Sequence, residues 1–358
     1  MTKDNQRKIK VGISIGDLNG IGPEIIIKSL EDSRVLDLYT PVIFANVKTM
    51  SFYKNHFKSK INFYGAHNDE KIVDGKVNVI NAWKEKPNIQ FGKNDKTIGA
   101  FAIKSLEAAV KSLKKNTIDV LVTAPINKEN IQSDTFNFPG HTDYLNQELD
   151  GNSLMFMVTD DLKVGLLTDH VPLKDITNHL NHDLIEKKIK TIRESLQKDF
   201  LVSKPRVAIL AINPHAGDNG VIGSEDDDLL IPVVKKEQEK GNLVYGPYAA
   251  DSFFGSGNYK NFDAIIAAYH DQGLIPFKTI AFGEGVNYTA GLEKVRTSPD
   301  HGTAYEIAGK GESNASSFIR AVELAIEIFR NRNTYENLTK NPLKIKKVER
   351  RPQKRFSR

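Results

Sequence analysis

The stretch 263–278, DAIIAAYHDQGLIPFK, decides how the rest of the chain is read. Ala264 to Tyr269 is a short apolar run, the pattern of a strand buried on both faces of a parallel sheet. His270 and Asp271 stand directly at its end, followed by Gly273, Pro276 and Lys278. Open α/β sheets bind ligands outside the carboxyl ends of their strands. A His-Asp pair at such a place is either a metal ligand with its orienting carboxylate or an ordinary strand cap. Taken alone, the stretch leaves both readings open.

Working outward, the same plan recurs. Arg206–Ile212 reads as a buried strand ending in NPHAGDNG (213–220), which holds His215. Leu154–Thr159 and Lys163–Thr168 form a hairpin across Asp160-Asp161, and the second strand ends in TDHVPL with His170. Ile118–Thr123 ends in TAPINKENI, and Lys8–Ile15 ends in GDLNGIGP (16–23), where Asp17 and Asn19 could face a cleft. That Gly-rich turn either cradles phosphate at a helix start or is simply a tight turn. It matches neither the P-loop nor the full dinucleotide fingerprint. Pro41–Val47 is a further strand, 60–96 holds short strands and loops, and 243–246 is another short strand. Helices are expected from Pro23 to about Glu31, from Val47 to about Phe57, over Thr97–Lys114, Asp183–Phe200 and 225–239, and over Ala315–Phe329. FPGHTDYL (138–145) is a turn leading into one more. Such alternation gives an α/β fold with a largely parallel core sheet. His56, His67, His179 and His182 lie in polar surroundings and read as surface residues.

A chain of 358 residues is long enough for two domains or one large one. Its 39% hydrophobic and 27% charged content is that of an ordinary soluble protein. No apolar run approaches a transmembrane helix, and the polar start MTKDNQRKIK is not a secretory signal. Without cysteine, disulfide and thiolate chemistry are excluded, so a metal site would need His and carboxylate. A cytoplasmic enzyme with no membrane partner is expected. The net charge of +5 is uneven: residues 340–358 carry nine Lys/Arg against Glu349, a balance of +8, which leaves −3 for the remainder. The basic pI therefore belongs to a tail read as a solvated extension, and no nucleic-acid partner is expected of the body.

His170, His215 and His270 each follow an apolar strand within three residues of its end. Neutral imidazole is a common ligand of divalent transition ions, and three would leave positions open for substrate. Asp271 adjoins one of them and Asp251 is close in sequence. The intervals of 45 and 55 residues are no local metal motif, so polar loop histidines remain the alternative. Lys278, Asn287 and Arg296 lie in turn-rich stretches downstream, and with His141 and Thr142 they would make an anion-binding group if they converge.

DHGTAYEIAGKG (300–311) resembles the HGSAPDIAGKG segment of isocitrate and isopropylmalate dehydrogenases, whose loop packs on the adenosine part of the dinucleotide. More widely, GDLNGIGPE, TAPINKENI, FPGHTDYL, GLLTDHVPL, NPHAGDNGVIG, AAYHDQGLIPFK, GVNYTAGLEKVRTS and DHGTA resemble, in this order, the 4-hydroxythreonine-4-phosphate dehydrogenase family of pyridoxal phosphate biosynthesis. The resemblance covers about residues 9 to 330. It implies a two-domain isopropylmalate-dehydrogenase-like fold and an oxidative decarboxylation of 4-hydroxy-L-threonine 4-phosphate that uses NAD, with NADP as the variant. It also implies a homodimer with its active sites at the subunit interface. The divalent ion (zinc, magnesium or cobalt) would fall on His170, His215 and His270. Substrate contacts would fall on His141, Thr142, Lys278, Asn287 and Arg296, and cofactor contacts on His301 and Gly302. Lys278 is also a catalytic candidate, with Asp251 and Asp271 as candidates for the base. Residues 1–135 with 275–339 would form the first domain and carry the cofactor-side loop 300–311. Residues 136–274 would form the second, with the metal ligands and dimer contacts, and 340–358 the tail. Glu293-Lys294 and Asp143 depart from the usual pattern without touching a matched ligand position. Related dehydrogenases act on D-threonate or D-erythronate 4-phosphate, and a metal-dependent aldolase or phosphohydrolase could use the same histidines.

Overall fold

Twelve strands make one continuous sheet. In chain order they are β1 (Ile9–Ser14), β2 (Tyr39–Ala45), β3 (Phe63–Ala66), β4 (Val77–Asn81), β5 (Val120–Thr123) and β6 (Gly151–Val158). There follow β7 (Lys163–Leu166), β8 (Val207–Leu210), β9 (Val244–Tyr248), β10 (Ala264–Ala267), β11 (Val286–Leu292) and β12 (Val295–Pro299). The computed structural model describes residues 7–66, 71–134, 136–138, 140–281 and 283–343. His67 and the tail from Lys344 onward lie outside the described residues. Across the sheet the order is β3-β4-β2-β1-β5-β12-β11-β6-β7-β10-β8-β9. Pairing is parallel from β3 to β12 and again from β7 to β9. Between them, β12–β11, β11–β6 and β6–β7 are antiparallel. The two parallel halves therefore run in opposite senses. Their carboxyl ends approach the central strands from opposite sides.

Helices cover both faces, as strands apolar on both sides require. One face carries a single apolar layer spanning both halves, from Ile13 and Val122 to Ile192, Val207 and Phe318. The other face carries two separate layers. Val42, Phe44 and Leu121 pack under the helix Lys96–Lys114, while Val164, Leu166 and Ala267 pack under the helix His270–Ile280. Gly273 allows the second contact: a Cβ there would stand 2.9 Å from Ala267 and Val164 side chains, so the helix could not lie this close to β10 and β7. Between these two layers the central strands expose polar side chains.

Most expected elements are present, with one extension. The last helix runs Ser316–Thr339, ten residues beyond Phe329, where apolar periodicity gives no signal. Its far end is held by a buried polar cluster instead. Arg332 Nε donates to Asp199 Oδ1 at 2.7 Å and its Nη2 to the Tyr288 hydroxyl at 2.8 Å. The Tyr288 and Ser195 hydroxyls each donate to Asp199 Oδ2 at 2.6 Å. This ties the helix to β11 and to the helix His182–Lys198. Breaking a buried ion pair leaves an uncompensated charge. Arg332→Met should therefore destabilise the protein by about 3–5 kcal/mol, read as a lower urea midpoint.

Candidate functional site

Between the two apolar layers lies a cavity of about 310 Å³, lined by residues of both halves. Side chains two apart on a strand share a face, and the register does the rest. Asn287 pairs with both Ser298 and Met157, and Thr289 with Met155, so β12, β11 and β6 supply a common floor. Arg296, two residues before Ser298, lies in that floor and is only 2% exposed. Its Nη2 donates to Thr123 Oγ1 at 2.6 Å and its Nη1 to Thr289 Oγ1 at 3.1 Å. Among the described residues it has no ion-pair partner. Burial lowers its pKa to about 9. Two threonine hydroxyls satisfy its geometry but not its charge. A buried guanidinium of this kind is completed by an anion.

The other flagged residues converge on the same space. Gly140 opens the helix His141–Glu148, which puts His141 and Thr142 at its first turn. Lys278 lies in the last turn of the helix His270–Ile280, and His301 and Gly302 follow β12. Among the described residues nine buried side-chain polar atoms lack a hydrogen-bond partner, and three of them are His141 Nε2, Asn287 Oδ1 and His301 Nε2. All three belong to residues that line the cavity. Orphaned buried polar atoms are rare, so three at one place mark a site for a polar ligand. Burial, then the charges of Arg296 and Lys128, hold the pKa of His141 well below the ordinary 6.5. The ring is neutral at pH 7.

His170 and His270 face one another with ring centroids 5.9 Å apart. His270 Nδ1 is 2.7 Å from Asp271 Oδ1, which fixes the ring and leaves Nε2 free to ligate. Asp271 itself does not line the cavity; it acts through His270. The third expected ligand is not brought in. His215 and Asp251 are exposed and line no part of the cavity. The sheet order explains this, because β10 stands between β8 and β7. Among the described residues, no group of three or more His, Cys, Asp or Glu is placed to hold a metal ion. One chain thus offers two imidazoles of the expected three.

The backbone at His215 is nonetheless unusual. His215, Ala216, Asp218 and Asn219 all have left-handed φ, between 45° and 56°. For His215 and Ala216 this costs roughly 1–2 kcal/mol each, whereas Asp and Asn adopt it more readily. Asp226, fully buried, holds the turn by accepting from the Ile212 and Asn213 amides at 2.7 and 2.9 Å. Strain of this type gathers at functional sites.

One expectation is corrected nearer the 300–311 loop. Asp17 and Asn19 do not face a cleft; both are fully buried. Asp17 Oδ2 accepts from Asn130 Nδ2 and the Tyr305 hydroxyl, each at 2.7 Å, and Asn19 Oδ1 accepts from the Gln90 amide. Gly20 is needed because a Cβ there would stand 2.8 Å from the Thr303 carbonyl. The glycine-rich turn is thus a tight packing surface for the loop. His56 is exposed, as expected of a surface residue, and it also touches the loop. Its Nε2 lies 2.8 Å from the Gly309 carbonyl and its ring centroid 4.6 Å from that of Phe91. The cavity also contains residues that sequence reasoning missed: Thr123, Lys128, Met155, Met157 and Asp300. Lys128 follows β5 in the TAPINKENI turn, so the strand-end rule could have found it. The methionines carry no such signal, since their facing depends on register.

Fold and site together define an α/β protein with a cation-lined cleft. The profile of the pyridoxal phosphate biosynthetic protein PdxA matches residues 37–325, and the chain belongs to this family. A 4-hydroxythreonine-4-phosphate dehydrogenase of Bacteroides thetaiotaomicron is 44% identical, with 97% of this chain and 96% of that protein aligned. A D-threonate 4-phosphate dehydrogenase of Cupriavidus necator is 34% identical, with 89% and 96% aligned. Among solved structures, the 4-hydroxythreonine-4-phosphate dehydrogenase of Klebsiella pneumoniae superposes with a TM-score of 0.77 at 31% identity, covering 90% of this chain and 98% of that one. No helix among the described residues is long and apolar enough to cross a membrane.

The neutral state of His141 has a consequence for stability. The unfolded chain takes up a proton on this residue near pH 6.5, whereas the folded chain resists it. Below that pH the unfolded state binds more protons, so stability falls as pH falls. His170, whose pKa is lowered chiefly by burial, adds to the same slope. His141→Gln should reduce the loss by up to about 1.4 kcal/mol per pH unit, measured by urea unfolding between pH 7 and 5.

Proposed function

We propose that this chain oxidises and decarboxylates 4-hydroxy-L-threonine 4-phosphate to 3-amino-2-oxopropyl phosphate, as a step of pyridoxal phosphate biosynthesis. The observation that carries this reading is the buried, unpaired Arg296 in the floor of a small cleft lined by orphaned polar atoms. The substrate has two anionic ends and a secondary alcohol between them. Oxidation of that alcohol gives a β-keto acid, which loses carbon dioxide. Arg296, Lys278, His141 and Thr142 bind the anionic ends, and Asn287 offers its orphaned Oδ1 to a donor on the substrate. Together they supply the positioning on which the rate depends. Neutral His141 serves as a hydrogen-bonding group without adding charge.

Its dehydrogenase relatives imply a nicotinamide cofactor. His301 and Gly302 would contact it, and apart from its chain neighbours no atom of the described residues stands within 4 Å of where a Gly302 Cβ would be. The imidazoles of His170 and His270, the latter oriented by Asp271, fit a divalent ion. When bound, the nicotinamide accepts hydride and the ion acts as a Lewis acid towards the substrate oxygens. NAD, with NADP as the variant, and zinc, magnesium or cobalt are the choices to be tested. The reading also takes the halves 1–135 with 275–339 and 136–274 as two domains. The protein would be a homodimer with its sites at the interface. His215 and Asp251, idle in their own chain's cavity, would then serve the partner's cavity, with Asp251 as the base. The held strain at His215 supports this role.

The reading is tested by incubating the protein with the substrate, NAD and each divalent ion while following reduced nicotinamide. Turnover is expected. Turnover with D-threonate 4-phosphate alone would give the protein the activity named for the Cupriavidus relative, and turnover without dinucleotide would favour an aldolase or phosphohydrolase. Arg296→Met should lower kcat/KM about a hundredfold, the loss of a charge-assisted contact to an anion. His215→Ala and His170→Ala homodimers should each lose activity and metal content by elemental analysis. Mixing the two subunits should restore both in part; no restoration would defeat the shared-site arrangement.

A further inference from the structure

Lys128 is a cation of the cleft that neither the apparent ligand set nor the matched family positions employ. It follows β5 in a turn that is fixed from several sides. Asn127 Oδ1 accepts from the Glu129 and Asn130 amides at 2.9 and 3.1 Å, Asn130 is anchored to buried Asp17, and Gln132 Nε2 bridges the carbonyls of Lys128 and Phe138. The backbone is therefore held in place while the side chain reaches over the cavity mouth. Its Nζ lies 3.2 Å from His170 Nε2, and its Cε is 3.7 Å from where a Gly140 Cβ would stand. Among the described residues no carboxylate pairs with it. A lysine ammonium has three donors, and the imidazole of His170 uses one.

Buried Arg296 in the floor and exposed Lys128 at the rim both act electrostatically on the His141 ring. The space by the Gly140–Thr142 turn is thus bordered by a rim ammonium, a buried guanidinium, a threonine hydroxyl and an orphaned imidazole nitrogen. This is the donor set of an oxyanion site, and a phosphoryl group is the anion with enough oxygens to use it. We propose that Lys128 is a substrate-binding residue that grips the phosphoryl end at the Gly140–Thr142 turn, and that His170 is only its partner when no anion is present. The inference rests on the functional reading above for the identity of the substrate, but not for the anion.

Inorganic phosphate separates the two. Its dissociation constant is measured by calorimetry on the full-length protein, without metal or dinucleotide, for wild type, Lys128→Met and Lys128→Arg. The KM and kcat for 4-hydroxy-L-threonine 4-phosphate are measured on the same proteins, with circular dichroism to check folding. Lys128→Met should weaken phosphate binding and raise KM by about tenfold or more, with kcat within about threefold, and Lys128→Arg should recover most of both. An unchanged phosphate constant in a folded Lys128→Met protein overturns the proposal. So does a fall in kcat alone, which would make Lys128 a support for His170. If wild type binds phosphate but does not turn the substrate over, the functional reading fails while the phosphate constants still decide the role of Lys128.

Discussion

The antiparallel seam of β12, β11, β6 and β7 is the constraint from which the rest of the molecule follows. Had the twelve strands been parallel throughout, their carboxyl ends would lie along one edge and a ligand would sit beyond that edge. Reversal at the seam brings the end of β5 and the ends of β7 and β10 towards the same central strands from opposite sides. The cleft therefore has a floor made of strand faces and walls made of strand ends. The helix Lys96–Lys114 covers its own half and the helix His270–Ile280 reaches over β7, which leaves the cleft between them.

That geometry sets the electrostatics. A side chain in the floor is enclosed by the sheet below and by apolar layers on both sides, so a charge there loses most of its hydration. Arg296 bears this penalty with only hydroxyl partners. Compare Arg332, also buried but paired with Asp199. The first arrangement is unfinished without a ligand and the second is complete within the chain, which separates a binding residue from a structural one. His141, Asn287 and His301, with their unpaired atoms, belong with the first.

The turn at His215 repeats the pattern in backbone terms. Successive left-handed residues are held by a buried carboxylate and a glycine-bearing loop, although the imidazole they present reaches nothing in its own cavity. The imidazole is exposed and lines no part of its own chain's cavity, which is the observation behind the proposed shared site.

Much of this was legible in the residues. Apolar runs such as Ala264–Ala267 and Val207–Leu210 identify buried strands, because only strands covered on both faces carry side chains apolar throughout. The histidines after those runs, the GHT turn and the arginine of RTS were visible as candidates for the same reason. What the residues alone could not settle was which candidates meet. Asp17 and Asn19 stand at a strand end like the histidines, yet they are buried as supports of the 300–311 loop. His56 reads as a surface residue but holds that loop through Gly309, a contact between positions 253 apart. Strand order, not sequence, put β10 between β8 and β7 and so kept His215 out of the cavity that His170 and His270 share. Local pattern determines which segments become strands and which residues stand at their ends, because period and burial are properties of neighbours in the chain. Convergence depends on pairing order and direction across the sheet, which are decided by contacts between distant segments.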